Sequence, residues 1–321
     1  MVRKSRQKNL KSANIAVVGD VMIDAYTIGV IERLSPEAPV PIVIDRGQEA
    51  ILGGAANVAR NIAALGGKAF LVGVIGDDGG GKIVKQLCRE YKIVDRLVID
   101  PSRPTTTKHR IIADRKQVLR IDNEKTERVS ARVERELIRH LTAINADVII
   151  FSDYSKGVVT RELVAAAKKK FGAENVFADF KPARANYFLG VGAIFPNLKE
   201  AHELTGIHAT TQGRAESVVR ELAKRFRATV FLKRSEHGLS LLEKGTLKSN
   251  HWPACAGEVV DVTGAGDTVI AVAALAFAGG ASLARAAELA NRAAGIIVGK
   301  EKTAALSVVE LFSQEPFSWT P

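Results

Sequence analysis

Several residue types are scarce in this sequence, and each shortage closes off a class of function. There are two cysteines, Cys88 and Cys255. They lie far apart and match no metal-ligand spacing, so both are expected to be reduced core residues of a cytoplasmic protein. Aromatic residues make up 6% of the chain, too few for the stacking platforms of a single-strand nucleic-acid binder. The longest apolar run, 269–278, is ten residues, about half of the ~20 that a membrane-spanning helix needs. The basic N-terminus is followed by no continuous apolar stretch before Gly19-Asp20, so a secretory signal is not expected. No repeat period or low-complexity linker occurs.

What is plentiful is positive charge. The net charge is +11, and five of those charges sit on Arg3, Lys4, Arg6, Lys8 and Lys11, with no acid nearby. The remaining Lys and Arg are spread along polar helix faces, so no nucleic-acid partner is expected. The surplus suits a protein that handles nucleotides and sugar phosphates. Residues 1–12 form a basic arm, and 13–321 read as one α/β domain.

A β-rich run over 14–18 ends in Gly19-Asp20, and Asp24 follows at the strand's carboxyl end, where open α/β sheets place ligands. Pro36, Pro39 and Pro41 bar a helix or a central strand over 34–44, leaving an edge or lid strand. Gly53-Gly54-Ala55-Ala56-Asn57 opens a helix that runs to Leu65. An apolar strand at 69–75 precedes an amphipathic helix at 79–91. The segment 76–82 has phosphate-loop spacing, but Ile83 stands where a metal-holding Ser or Thr belongs and two acids crowd the turn. The runs 105–113 and 117–121 alternate about Asp114-Arg115-Lys116 as a hairpin. A small β lid is therefore expected from 28–46 and 100–122. Helices at 131–144, 160–171 and up to Arg225 then alternate with strands at 148–151, 176–179, 193–195, 229–232 and 238–242. This pattern predicts a mostly parallel sheet with helices on both faces.

The most informative stretch is Asp261-Val262-Thr263-Gly264-Ala265-Gly266-Asp267-Thr268. It follows a β-prone run at 258–260 and opens a buried alanine-rich helix. A small-residue turn at a helix start leaves amides unpaired at the positive end of the helix dipole, and its glycines let an anionic oxygen approach. A carboxylate placed there repels an anion unless its task is to take a proton while the amides hold developing negative charge. Phosphoryl transfer to a hydroxyl fits both demands. Asp20, Asp24, Ser152-Asp153, Asp179-Phe180-Lys181, Asn197 and Glu200 fall at successive strand ends and line the same crevice.

With these elements in this order, the chain resembles the PfkB/ribokinase family of sugar kinases over essentially its full length. The 261–268 stretch is similar to the family's C-terminal signature. Gly53-Gly54-Ala55-Ala56-Asn57 is similar to its sugar-binding signature, and Asn197-Leu198-Lys199-Glu200 to its Asn-x-x-Glu element. The resemblance extends to the heptose-7-phosphate kinase branch, the kinase half of the bifunctional ADP-heptose synthesis protein. It rests there on Gly19-Asp-Val-Met-Ile-Asp24, on the run 34–41, on Ser152-Asp-Tyr-Ser-Lys-Gly157 and on Arg234-Ser-Glu-His-Gly238.

The resemblance implies a ribokinase-like fold and a set of roles. Asp267 is the general base, beside an anion hole from the amides of Gly264, Ala265 and Gly266. Asp24, Gly53, Gly54 and Asn57 hold sugar hydroxyls, with Asp153 beside them. Asn197, Leu198, Lys199 and Glu200 serve ATP and magnesium, with Glu200 acting on Mg2+ indirectly. Arg234, Ser235, Gly238, Thr263 and Asn291 belong to the nucleotide side. The implied reaction phosphorylates the C1 hydroxyl of D-glycero-D-manno-heptose 7-phosphate with ATP, toward ADP-heptose and lipopolysaccharide precursors. Lys108, Arg110, Lys156 and Lys181 are the candidates for the 7-phosphate. Phe180 and Lys233 depart from the branch's Pro and Thr, and Lys300-Glu301-Lys302-Thr303 lacks its glycine. No His-x-Gly-His signature occurs, so synthesis of the ADP-sugar itself is not expected. A homodimer through the lid is expected. The alternatives are a kinase of this family for another sugar, such as ribose or a fructose phosphate, and a non-catalytic nucleotide- or nucleic-acid-binding protein.

Overall fold

The computed structural model describes residues 13–255 and 257–313. The basic arm of residues 1–12 lies outside the described residues. Strand β1 (Asn14–Gly19) is central to a ten-stranded sheet. Its Ile15 and Val17 face one side and Ala16 and Val18 the other, all wholly buried. A strand covered on both faces has no water-facing positions, so it reads as an unbroken apolar run.

From β1 the chain enters two long antiparallel strands, β2 (Val21–Leu34) and β3 (Pro41–Gly54). Pro36 and Pro39 sit in the turn between them, and Pro41 begins β3. With the prolines confined there, the strands pair well beyond the 28–46 expected. Strand β3 runs straight into α1 (Ala55–Ala64), and β4 (Lys68–Ile75) and α2 (Gly79–Glu90) follow. Short strands β5 (Val94–Asp95) and β6 (Val98–Ile99) lead to the hairpin of β7 (Thr106–Ala113) and β8 (Lys116–Asn123). β7 pairs parallel to β2, giving a separate four-stranded sheet ordered β3-β2-β7-β8.

The rest alternates: α3 (Ala131–Thr142), β9 (Val148–Ser152), α4 (Arg161–Phe171), β10 (Val176–Asp179), β11 (Ala193–Ile194), α5 (Leu198–Thr205), α6 (Gln212–Phe226) and β12 (Thr229–Lys233). An antiparallel edge of β13 (Leu239–Leu242) and β14 (Asn250–Trp252) precedes α7 (Ala265–Ala278), α8 (Leu283–Ile297) and α9 (Val308–Leu311). The main sheet runs β14-β13-β12-β11-β10-β9-β1-β4-β5, with β6 also on β4. Helices α1, α7 and α8 bury one face, and α3, α4 and α6 the other. Helix α7 is apolar all round because sheet and neighbouring helices enclose it, and its residues 267–276 are all buried.

Two expectations are corrected here. The run 258–260 is not a strand but an exposed loop, with Val259 57% exposed. It has β-forming residues but no strand alongside, and β propensity without a partner does not make a ladder. Cys255 is exposed rather than in the core, whereas Cys88 is buried as expected. Among the described residues no helix is long and apolar enough to cross a membrane.

Candidate active site

Parallel strands end in register: Gly19 and Asp179 both stand beside Ser152. Their carboxyl ends therefore present Asp20, Asp153 and Asp179 at one level, with Asn197 and Lys233 beyond, bridged to each other. The N-terminus of α7 points into this row. Gly264 is its N-cap, with φ 82°, a left-handed conformation that strains any side chain. A Cβ there would also stand 3.0 Å from Asn57 Nδ2. The Ala265 amide meets the Val262 carbonyl at 3.3 Å, which takes it out of the anion hole expected from three amides. The amides of Gly266 and Asp267 lie in the first turn, where helix geometry supplies no partner.

Asp267 is buried, and both carboxylate oxygens are held. Asn57 Nδ2 donates to Oδ2 and the Tyr154 hydroxyl to Oδ1, each at 2.8 Å. Burial pushes its pKa up to about 6, against the pull of those two donors. A carboxylate titrating near 6 is a better base than one at the ordinary value, yet is ionised at neutral pH. Asn57 is the third residue of α1, delivered by the β3–α1 junction at Gly54.

Around Asp267 lies a polar cavity of about 150 Å³, whose lining includes Asp153, Tyr154, Asp179, Lys181, Glu200 and Lys233. Lys233 Nζ pairs with Asp179 Oδ2 at 2.5 Å, and Lys181 Nζ with Glu200 Oε1 at 2.6 Å. Burial raises the pKa of Asp179 while Lys233 lowers it. Asp153 is pushed up to about 7 by burial and by the Asp20 carboxylate beside it. Asn197 and Glu200 form a reciprocal capping box on α5. Glu200 thus has one oxygen on the Asn197 amide and the other on Lys181.

Among the described residues no group of three or more His, Cys, Asp or Glu is arranged to hold a metal. Because both Glu200 oxygens are engaged, the site suits a magnesium that keeps its waters and binds mainly to phosphates, as Mg2+ commonly does.

On the other side of Asn197, Lys233 and Gly266 opens a larger cleft of about 460 Å³. Its walls are mainly apolar, with Val259, Val262, Val269, Ala294 and Val298, and Arg234, Ser235, Gly238 and Asn291 also line it. Asn291 Nδ2 donates to the Pro253 carbonyl at 2.8 Å, holding that wall in place.

Other expected residues are placed differently. The Leu198 side chain packs on the core, and Lys199 is exposed away from both cavities. On a helix that begins at Leu198, only Asn197 and Glu200 turn to the crevice. Thr263 lines neither cavity, its amide being tied to Asp261 Oδ1. Lys181 follows β10 and stands with Glu200, whereas Asp24, Gly53 and Asn57 come from β2, β3 and α1.

Asp24 is buried and binds Arg110 Nη1 at 2.6 Å, and Gly53 lacks the Cβ that would come within 2.7 Å of Asp24 Oδ2. Lys156 pairs with Glu124 at 2.6 Å, and Lys108 with Asp122 at 3.2 Å. Sequence reasoning gave no chemical role to Tyr154 or Lys233. Each stands among polar residues at the carboxyl end of a buried strand, and that position was the available signal.

The fold defines the class first. Escherichia coli phosphofructokinase-2 in complex with substrates and products superposes with a TM-score of 0.77 at 18% identity, covering 94% of this chain and 97% of that one. Arabidopsis thaliana ribokinase complexed with ribose and ATP gives 0.73 at 20% identity, covering 95% and 99%. The architecture is therefore ribokinase-like.

Sequence comparison narrows it. The model of the pfkB family carbohydrate kinases matches residues 12–309. The bifunctional protein HldE of Paramagnetospirillum magneticum is 39% identical over 308 residues, 93% of this chain and 62% of that protein. The D-beta-D-heptose 7-phosphate kinase of Bordetella bronchiseptica is 38% identical over 317 residues, 95% and 96% respectively. The chain belongs to the pfkB family of carbohydrate kinases, phosphotransferases that act on a sugar hydroxyl. It spans less than two thirds of the HldE relatives' length.

Proposed function

We propose that the chain transfers the γ-phosphoryl group of ATP to the anomeric C1 hydroxyl of D-glycero-D-manno-heptose 7-phosphate, giving the 1,7-bisphosphate, a step toward ADP-heptose. The observation that carries the reading is Asp267, a buried carboxylate between two fixed donors at the mouth of a helix, where a polar cavity meets an apolar cleft. The names of the similar proteins supply the sugar.

In this reading the adenine end of ATP occupies the apolar cleft and its phosphates pass Lys233 toward α7. Asp267 takes the C1 hydroxyl proton, the sugar oxygen bonds to the γ-phosphorus, and the bond to ADP breaks. The amides of Gly266 and Asp267 face the transferring group, so charge is stabilised by donors that need not reorganise. Lys233 and Lys181 add fixed positive charge. Asn197 and Glu200 are the residues that would stand beside a hydrated Mg2+, which would lower the charge of the ATP phosphates.

Asp24, Gly53, Gly54 and Asn57 hold the sugar under the four-stranded sheet, which acts as a lid. Arg110, Lys108 and Lys156 are the cations we assign to the 7-phosphate, which competes there with Asp24, Asp122 and Glu124. We read the enzyme as cytoplasmic, where ATP is supplied. The lid also carries the homodimer contact: β8 is exposed at all eight positions, including Val118, Leu119 and Ile121.

The test is a panel of acceptors with MgATP, read by ADP release, with the product's phosphate position set by 31P NMR. Heptose 7-phosphate turned over in preference to ribose and fructose phosphates, with phosphate at C1, supports the reading. Preference for ribose or a fructose phosphate overturns the substrate and leaves a pfkB kinase for another sugar.

A further inference from the structure

To act as a base, Asp267 needs its carboxylate kept in one orientation. Asp267 lies in the first turn of α7, where a side chain has free rotamers unless something holds it. Asn57 holds Oδ2 from α1. The other oxygen is held by Tyr154, which lies on the turn after β9, 113 residues away in the chain.

That turn is itself fixed by a second carboxylate. Asp20 Oδ2 accepts the amides of Tyr154 at 2.7 Å and Lys156 at 3.0 Å, and Asp20 Oδ1 accepts that of Val158 at 3.3 Å. Asp20 is 1% exposed and directly follows the central strand, which is paired on both sides. Lys181 Nζ sits 5.6 Å from the centre of the Tyr154 ring, on its face. The phenol is thus located at its backbone, its ring and its hydroxyl.

We infer that Tyr154 is a positioning residue for Asp267: anchored through Asp20, it clamps the carboxylate together with Asn57 and leaves each oxygen a further lone pair for an incoming hydroxyl. The inference rests on Asp267 being the base and deepens that reading. Tyr154 acts through Asp267 and need not touch the acceptor.

The clamp has an electrostatic consequence. Burial and the Asp179 carboxylate favour the protonated form of Asp267, whereas Asn57, Tyr154 and Lys233 favour the ionised form. The other charged groups facing the site are Arg60 on α1, Asp24 on β2, Asp153 after β9, Lys181 after β10 and Glu200 on α5. None of these is altered when the tyrosine hydroxyl is removed. A hydrogen bond to an ionised group favours that form by enough to move its titration about one pH unit or more.

The test is a 13C titration of aspartate carboxyl carbons in the full chain, with the Asp267 signal assigned as the one missing from Asp267→Asn. It needs no substrate, so an incorrect choice of sugar leaves it intact. In the unaltered chain the signal should titrate near pH 6. In Tyr154→Phe it should move up by about one pH unit. The acid limb of kcat/KM for the acceptor should move with it, and kcat at pH 8 should fall about tenfold with KM little changed.

A merely structural tyrosine would lower the melting temperature and leave both pH readings in place, and that result overturns the inference. Uniform 3-fluorotyrosine supplies an independent arm that keeps the side chain. Its more acidic phenol donates more strongly, so the Asp267 signal should move down, and no movement also overturns the proposal. If Asp267→Asn keeps full activity while the titration moves as stated, the base assignment fails and the clamp survives only as a structural feature.

Discussion

Replacing Asp267 by Asn should make this protein inactive and more stable at once. The substitution keeps the shape but cannot take a proton from an alcohol, and loss of a general base lowers kcat by about 10²–10⁴-fold. Nucleotide affinity should hold, because Asp267 is not among the residues that line the apolar cleft.

The stability change follows from linkage. Burial raises the folded-state pKa from 3.8 to about 6. The folded protein therefore binds the proton more tightly than the unfolded chain does. That advantage is fully present below pH 3.8 and is lost as pH rises through 6. At about 1.4 kcal/mol per pH unit, the ionised carboxylate costs the fold about 3 kcal/mol at pH 7.5. Asn avoids that cost but has one oxygen for two donors, a loss of about 1–2 kcal/mol. The net gain is about 1–2 kcal/mol, or about 2–4 °C in melting temperature for a chain of this size. Calorimetry from pH 4 to 7.5 should show the gain shrinking as pH falls. An Asn variant that keeps kcat within tenfold refutes the base. An inactive variant that melts below the parent throughout that range refutes the account of buried charge.

Gly264→Ala forces a Cβ onto the left-handed N-cap of α7, 3.0 Å from Asn57 Nδ2, and should destabilise by about 1–3 kcal/mol. Chemical denaturation measures that, and unchanged stability would mean the turn relaxes freely. Gly295→Trp puts an indole into the apolar cleft and should raise the KM for ATP at least about tenfold while leaving acceptor KM unchanged. Equal effects on both would remove the nucleotide from that cleft. Leu119→Glu with Ile121→Glu, on the exposed β8 strand, should turn a dimer into a monomer in sedimentation, and an unaltered dimer would place the contact elsewhere.

The main sheet was legible because its strands are buried on both faces and appear as uninterrupted apolar runs, such as 14–18 and 148–151. Gly-x-Gly turns before helices are common, and Asp267 alone could be a helix-start acid. The start of α7 therefore became legible only beside the polar residues at the other strand ends. Other features were hidden because they depend on long-range placement. Val259 and Val260 have strand-forming side chains, but nothing in the local sequence says that no strand lies beside them. Cys255 is apolar enough for a core, yet the loop that carries it passes along the cleft wall. Tyr154 meets Asp267 only because the fold brings together the end of β9 and the start of α7, 113 residues apart in the chain. Lys108 and Arg110 stand two apart on β7, but which acids they meet depends on the register of β7 against β2 and β8.

Strand β2 starts two residues after the central strand ends, and β3 finishes on the residue that caps α1. The outlying ribbon is thus spliced into the body at both roots with no linker. From its tip the ribbon runs back along β3 to Asn57 without a loop, and Asn57 grips the carboxylate. Cover and reacting group are in that sense joined by one short length of chain.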